Sequence, residues 1–289
     1  MIIVIPSRGR HDTSLTLRRS IPASWRARTR VLVNTSEELA YSTAWPDYEV
    51  WTHAVENDIA RVRQGAVERA GAEDDRVMMM DDDLQFYVRR QYHPPRLRDA
   101  TTADIEHLLT ACNAIVGPDI PLVSVSFRQH NDSTAGPYSM NGRADRVYAL
   151  FVPVLRAIGY RYRFQPMENF DLALTLLRAG YPNLIWWHWA NDQTTSNAPG
   201  GCSEYRTPEL QAAAARSLAE AHGPFVTVKT GRRTKTSWQS FGGVRDDVIC
   251  AWSAAFDAGR RQRGVAVPQP DVSPWLPKEA LTYGHPSLF

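Results

Sequence analysis

Cysteine is scarce in this 289-residue chain. Cys112, Cys202 and Cys250 lie far apart and lack the spacing of metal ligands. An odd number of thiols argues against a disulfide framework and for a reducing, cytosolic setting. Long apolar runs are lacking too: none approaches the roughly 18 residues of a membrane-spanning helix, so no membrane partner is expected. The opening stretch Met1-Ile2-Ile3-Val4-Ile5 is too short for a signal sequence and stops at Pro6, so it reads as a strand. No Gly-Lys-Ser/Thr accompanies the glycines at 200 and 201, which excludes a P-loop. Internal repeats and low-complexity linkers are also missing.

What is present is the composition of an ordinary folded protein, 43% hydrophobic and 22% charged. The length admits one large α/β domain with an appendage, or two domains. The net charge of +2 hides an uneven distribution. Residues 1–30 hold seven Arg and one Asp, and residues 226–245 hold five Lys/Arg and no acid. Nine Trp are available for stacking on bases or sugars.

One stretch organises the rest: Val77-Met78-Met79-Met80 runs into Asp81-Asp82-Asp83. An apolar run of this kind reads as a buried strand. Unpaired carboxylates cannot pass through a core, so the acids belong at the strand's C-terminal end, where open α/β sheets bind ligands. Oxygen ligands suit a hard cation such as Mg²⁺ or Mn²⁺, which usually also holds substrate phosphates. A solvated acidic turn is the plainer alternative.

Strands are expected at 2–5, 30–34, 48–52, 121–127, 146–153, 185–189 and 226–228. Helices are expected at 13–20, from an Asn57 N-cap to Gly71, and at 102–116, 172–179, 208–222 and 246–263. Alternating strands and helices predict βαβ units. Residues 128–141 read as a long polar loop, and the Pro-rich tail 266–289 as a surface wrap.

Several side chains could carry chemistry. Arg8 and Arg10 flank Gly9 after the first strand, suited to a diphosphate or a nucleobase, or merely solvated. Arg61 sits in a helix's first turn, against the local dipole, as a cation serving an anionic ligand or a surface residue. Asp171 is explained as a helix-start acid, and Glu168 less well. His188, at the end of an aromatic strand, is a metal ligand or a packed histidine. Lys229, Arg232, Arg233, Lys235 and Trp238 interleave charge with an aromatic, which suits nucleic acid or a nucleotide diphosphate.

Taken together, Pro6-Ser7-Arg8-Gly9-Arg10, the helix after Asn57, the strand into Asp81–Asp83, the Glu168–Asp171 segment and a late His resemble a nucleotide-sugar glycosyltransferase of the GT-A fold. That implies a Rossmann-like mixed, mostly parallel sheet flanked by helices, with a basic, aromatic C-terminal extension. Residues 1–230 would form the transferase domain, and 231–289 would pack on it. More narrowly, the chain is similar to the bacteriophage TET-associated glycosyltransferases, through the Gly200-Gly201-Cys202-Ser203-x-Tyr205-Arg206-Thr207 block and the helix after it.

This resemblance implies transfer from a UDP-sugar to 5-hydroxymethylcytosine in phage DNA, with Mn²⁺ or Mg²⁺, in the host cytoplasm. It places Pro6, Ser7, Arg8, Arg10, Asn57, Arg61, Asp81 and Asp82 on the nucleotide donor. It places Asp83, Asp81 and His188, or else His222, on the metal. The second member of the family's acidic pair is here Asn169, leaving Glu168 as general base with Asp171 as alternative. Three rivals stand beside this reading: a GT-A enzyme acting on polysaccharide or protein, a nucleotidyltransferase, and a non-catalytic DNA-binding protein. Salt-sensitive DNA binding, sugar rather than nucleotide transfer, and loss of function in Asp83→Ala would separate them.

Overall fold

A computed structural model describes residues 1–193, 201–234 and 242–283. Ten strands form the main sheet: β1 (Ile2–Pro6), β2 (Thr29–Asn34), β3 (Glu49–His53), β4 (Arg76–Met80), β5 (Leu84–Tyr92), β6 (Pro95–Asp99), β7 (Leu122–Phe127), β8 (Tyr138–Met140), β9 (Val147–Phe151) and β10 (Asn183–Gln193). Their order is β3-β2-β1-β4-β9-β7-β10-β5-β6, with β8 paired to β10. The first four strands are mutually parallel, and β7 and β10 are parallel to each other. Antiparallel β9 joins the two groups. Of the ten strands, only β5, β8 and β9 run against the main direction. β11 (Val226–Arg233) and β12 (Val244–Cys250) form a separate antiparallel pair.

The sheet is buried on both faces, and β4 shows how. Side chains alternate along a strand, so Met78 and Met80 enter one core and Val77 and Met79 the other. The first core is closed by helix Thr102–Ile115 through Ile105, Leu108, Leu109 and Cys112. The second is closed by helix Ile59–Ala70 through Ala60, Val62, Ala66 and Val67. A third cluster joins helices Glu168–Arg178, Pro208–His222 and Trp252–Arg263 to Val226 and Val248 of the β11–β12 pair.

Several boundaries differ from the sequence expectation. The helix after Asn57 is capped by Asp58, which accepts from the Arg61 N–H; Asn57 itself takes a left-handed conformation, φ 53°. The helix expected at 102–116 is capped one residue earlier, by Thr101 in a capping box with Asp104. The helix expected at 172–179 begins at Glu168, so the Glu168–Asp171 acids lie within its first turn. Residues 246–250, expected as helix, complete β12. There Asp247 accepts from Arg232 and Arg245 (3.0 and 2.9 Å), and Val248 enters the third core. The loop expected at 128–141 holds a 3₁₀ turn (Arg128–Ser133) and β8. The tail does more than wrap the surface: Val272, Leu276 and Ala280 join the same core as Ile3 and Met78.

Candidate active site

The C-terminal ends of β1, β2, β3, β4, β7 and β10 meet at one edge of the sheet, with the N-terminal end of the reversed β9 among them. Pro6, Asn34, His53, Asp81, Phe127 and Gln193 from those strand ends, and Arg146 just before β9, line a cleft of about 490 Å³. This is where an open α/β sheet presents its loops to a ligand.

The three acids after β4 point to different partners. Asp82 is buried and accepts from the Ser7 hydroxyl and from Arg10 Nη1 at 2.5 Å. Burial nevertheless holds its pKa above the ordinary carboxylate range. Asp83 lies 3.2 Å from the same Arg10 nitrogen. Burial, together with the charges of Asp81 and Asp82, pushes its pKa up to about 6. Asp81 faces Arg63 Nη2 at 2.9 Å. Arg8 Nη1 donates to Asn57 Oδ1 at 2.7 Å, joining the loop after β1 to the loop before helix Ile59–Ala70.

Arg63 is the side chain that sequence reasoning missed. Its Nη1 donates to Glu168 Oε1 at 2.5 Å while its Nη2 holds Asp81, so one buried guanidinium ties the acids after β4 to the helix at 168. The signal was available: Arg63 follows Ile59 by four residues and precedes Ala66 by three, on the helix's inner face. A cation on a buried face requires anionic partners. Glu168 keeps its second oxygen, Oε2, buried and without a hydrogen bond among the described residues. A buried, unpaired acceptor lining a cleft is the arrangement expected of a group that receives a proton from a ligand.

Of the residues expected in the site, Pro6, Ser7, Arg8, Arg10, Asn57, Asp81, Asp82, Asp83 and Glu168 all line the cleft. Others do not. Arg61 is exposed and turned away, because its place on the helix is two residues, about half a turn, from the face that Arg63 occupies. Asp171 is fully buried behind the cleft, accepting from Arg163 and from His222 Nε2 at 2.8 Å, so it has no path to an acceptor. His222 is thereby committed to Asp171. His188 lies in the core with its Nδ1 against the Tyr92 hydroxyl at 2.5 Å and its ring stacked on Tyr92. Burial pushes its pKa down to about 4. It is a packed histidine, outside the cleft. Lys229, Arg232 and Arg233 are exposed on β11 and are not among the lining residues, although Arg232 donates to Asp247, which is; Lys235 and Trp238 lie outside the described residues.

Among the described residues no three His, Cys, Asp or Glu side chains are grouped to hold a metal ion. The carboxylates present fit a cation of another kind. Asp83 and Asp81 both line the cleft and could present their oxygens to one ion. One or two carboxylates completed by phosphate oxygens is the coordination habit of Mg²⁺.

The architecture is a mixed α/β sheet with acids and arginines gathered at its ligand edge. The chain belongs to the TET-associated glycosyltransferase family, whose model matches residues 1–201. No curated protein matches it. Among solved structures it is similar to a mannosyltransferase from Pyrobaculum calidifontis in complex with GDP-Man and Mn²⁺, at 13% identity and a TM-score of 0.37, over 61% of this chain and 50% of that one. It is similar to GalNAc-T7 with UDP, GalNAc and Mn²⁺, at 11% identity and a TM-score of 0.43, over 66% of this chain and 43% of that one. A CMP:2-keto-3-deoxy-manno-octonic acid synthetase complexed with CTP is 16% identical, with a TM-score of 0.42, over 76% and 98%. The chain thus spans half the length of the first of these and less than half of the second.

Proposed function

We propose that this protein transfers a sugar from a nucleotide-sugar, a UDP-sugar in our reading, to the hydroxymethyl group of 5-hydroxymethylcytosine in phage DNA. The observation that carries the proposal is Glu168: a buried carboxylate with a free oxygen, fixed by Arg63 opposite the acids after β4. Family membership supplies the reaction class.

The donor half is built from Pro6, Ser7, Arg8, Arg10 and Asn57, with Asp81 and Asp82 at its base. Asp83, with Asp81, would hold Mn²⁺ or Mg²⁺ there. The cation, when bound, neutralises charge growing on the leaving diphosphate. Glu168 Oε2 takes the proton from the acceptor O–H. The acceptor oxygen then bonds to the anomeric carbon as the glycosyl–phosphate bond breaks, and the electron pair of that bond leaves with the diphosphate. Arg63, donating to Oε1, keeps Glu168 aimed during the step. The exposed cations Lys229, Arg232 and Arg233 on β11, continuing to Lys235 and Trp238, serve the DNA backbone and a base. The setting we infer is the cytoplasm of a phage-infected cell; among the described residues no helix is long and apolar enough to cross a membrane.

The test is mass analysis of nucleosides from hydroxymethylated DNA incubated with the protein, Mn²⁺ and a panel of UDP-sugars. A hexose- or pentose-sized gain on 5-hydroxymethyldeoxycytidine, lost in Asp83→Ala, is the expected result. Slow metal-dependent hydrolysis of the donor with no gain on any nucleoside would refute the DNA acceptor.

A further inference from the structure

Among the described residues seven arginines line the cleft. Arginine differs from lysine in presenting a flat, weakly hydrated plane that stacks. Two of these arginines are arranged for stacking, on the side of the cleft opposite Asn34, His53 and Asn57. Arg143 lies 4.2 Å from the Phe170 ring centroid and 5.1 Å from that of Phe127. Asp145 fixes its Nη2 at 2.8 Å, yet 43% of the side chain remains exposed. It is an exposed guanidinium held in place by two rings and a carboxylate. Arg146 lies 5.0 Å over the Phe127 ring. Its Nη1 is buried without a hydrogen-bond partner, and its charge reaches Asp83, whose pKa it lowers.

We propose that Phe127, Arg143, Arg146 and Phe170 form the acceptor subsite. Arg143, backed by the two phenyl rings, stacks on a planar base, and Arg146 takes the phosphate attached to that nucleotide. The inference rests on the DNA-acceptor reading above and assigns that reading its residues. Three features support it. A base brought out of the helix loses its stacking partners and needs a planar replacement. A guanidinium plane provides one without reading the base's identity. Arg146's unpaired nitrogen supplies a buried donor for an anion, which water alone serves poorly. Glu168 borders the same part of the cleft, next to Asn169 and Phe170, so a base held there brings its 5-hydroxymethyl group toward Oε2.

The experiment is equilibrium binding of a labelled single-stranded oligonucleotide carrying one 5-hydroxymethylcytosine, measured across a salt series. UDP binding is measured in parallel on wild type, Arg143→Lys and Arg146→Gln. Arg143→Lys keeps the charge but removes the plane. It is expected to weaken oligonucleotide binding about tenfold with an unchanged salt slope. Arg146→Gln is expected to flatten the slope of log K against log salt by about 0.7, the loss of one phosphate contact on a single strand. UDP affinity is expected to stay within twofold in both. A folding defect would lower both ligands together and is separated by melting curves. Unchanged oligonucleotide affinity in Arg143→Lys overturns the stacking platform. Loss of UDP rather than oligonucleotide binding in Arg146→Gln moves that residue to the donor half and overturns its assignment. If wild type binds UDP but not the oligonucleotide, the DNA-acceptor reading fails and the subsite falls with it.

Discussion

At the scale of residues, Arg63 does most to define the site. It is buried, as is Glu168, and it also holds the half-buried Asp81. Removing a buried ion-pair partner leaves uncompensated charge, at a cost of about 3–5 kcal/mol. Arg63→Ala is therefore expected to lower the urea midpoint strongly as well as to abolish transfer; an unchanged midpoint would contradict the bridge. His188 gives a second prediction. Its imidazole has an ordinary pKa near 6.5, and burial pushes the folded value down to about 4. The unfolded chain thus binds the proton more readily. The stability due to neutral His188 is full above pH 6.5 and is lost as pH falls toward 4, by roughly 3 kcal/mol at most. Melting temperature should fall across that window, and His188→Asn should flatten the fall. An equal pH slope in that variant would show that other groups carry it.

At the scale of elements, the packing of helix Trp252–Arg263 on helix Glu168–Arg178 supports Glu168. Gly259 makes their close approach possible: a Cβ there would stand 2.3 Å from the Leu177 carbonyl oxygen and 2.5 Å from that of Arg178. Both obstacles are backbone, so Gly259→Ala must push the helices apart, at about 1–3 kcal/mol. Denaturant unfolding checks this, and a neutral effect would mean that the contact yields freely. The same elements show what the sequence revealed and what it hid. The strand Val77–Met80 and its acids were legible because an apolar run cannot carry carboxylates inward. Glu168 stood out because a helix-start acid did not fully account for it. β5 and β6 were not legible, since Arg89, Arg90, Arg96 and Arg98 break the alternation and Pro94-Pro95 obscure the turn. β12 was hidden by Asp246-Asp247, whose partners Gly231 and Arg232 come from the facing strand. His188 misled because its position at a strand end is shared by ligands and packed residues; only its Tyr92 partner distinguishes them.

At the scale of the whole molecule, the C-terminal extension is built into the two cores that flank the transferase elements. Phe256 packs with Met167 and Leu174, and Val272 and Leu276 pack with Ile3 and Met78. We read residues 1–230 and 231–289 as one cooperative unit. Calorimetry of the full chain should show a single transition, and a chain cut after residue 230 should expose these cores and bind a hydrophobic dye. Two separate transitions would contradict that reading. The cleft sits where the two halves of the sheet meet, so the loops after β1 to β4 and the residues around β7 and β9 line it together with Glu168 and Arg63.

The most direct test of this account compares Glu168→Gln with Asp171→Asn in single-turnover sugar transfer to hydroxymethylated DNA. Loss of a general base costs about 10²–10⁴-fold in rate. That loss is expected in Glu168→Gln, with nucleotide binding and folding retained. Asp171→Asn, which disturbs Arg163, His222 and Tyr160 behind the cleft, should lower the melting temperature and keep the rate of the folded protein. A Glu168→Gln protein that transfers at the wild-type rate, or an Asp171→Asn protein that folds but cannot transfer, would contradict the assignment of the base.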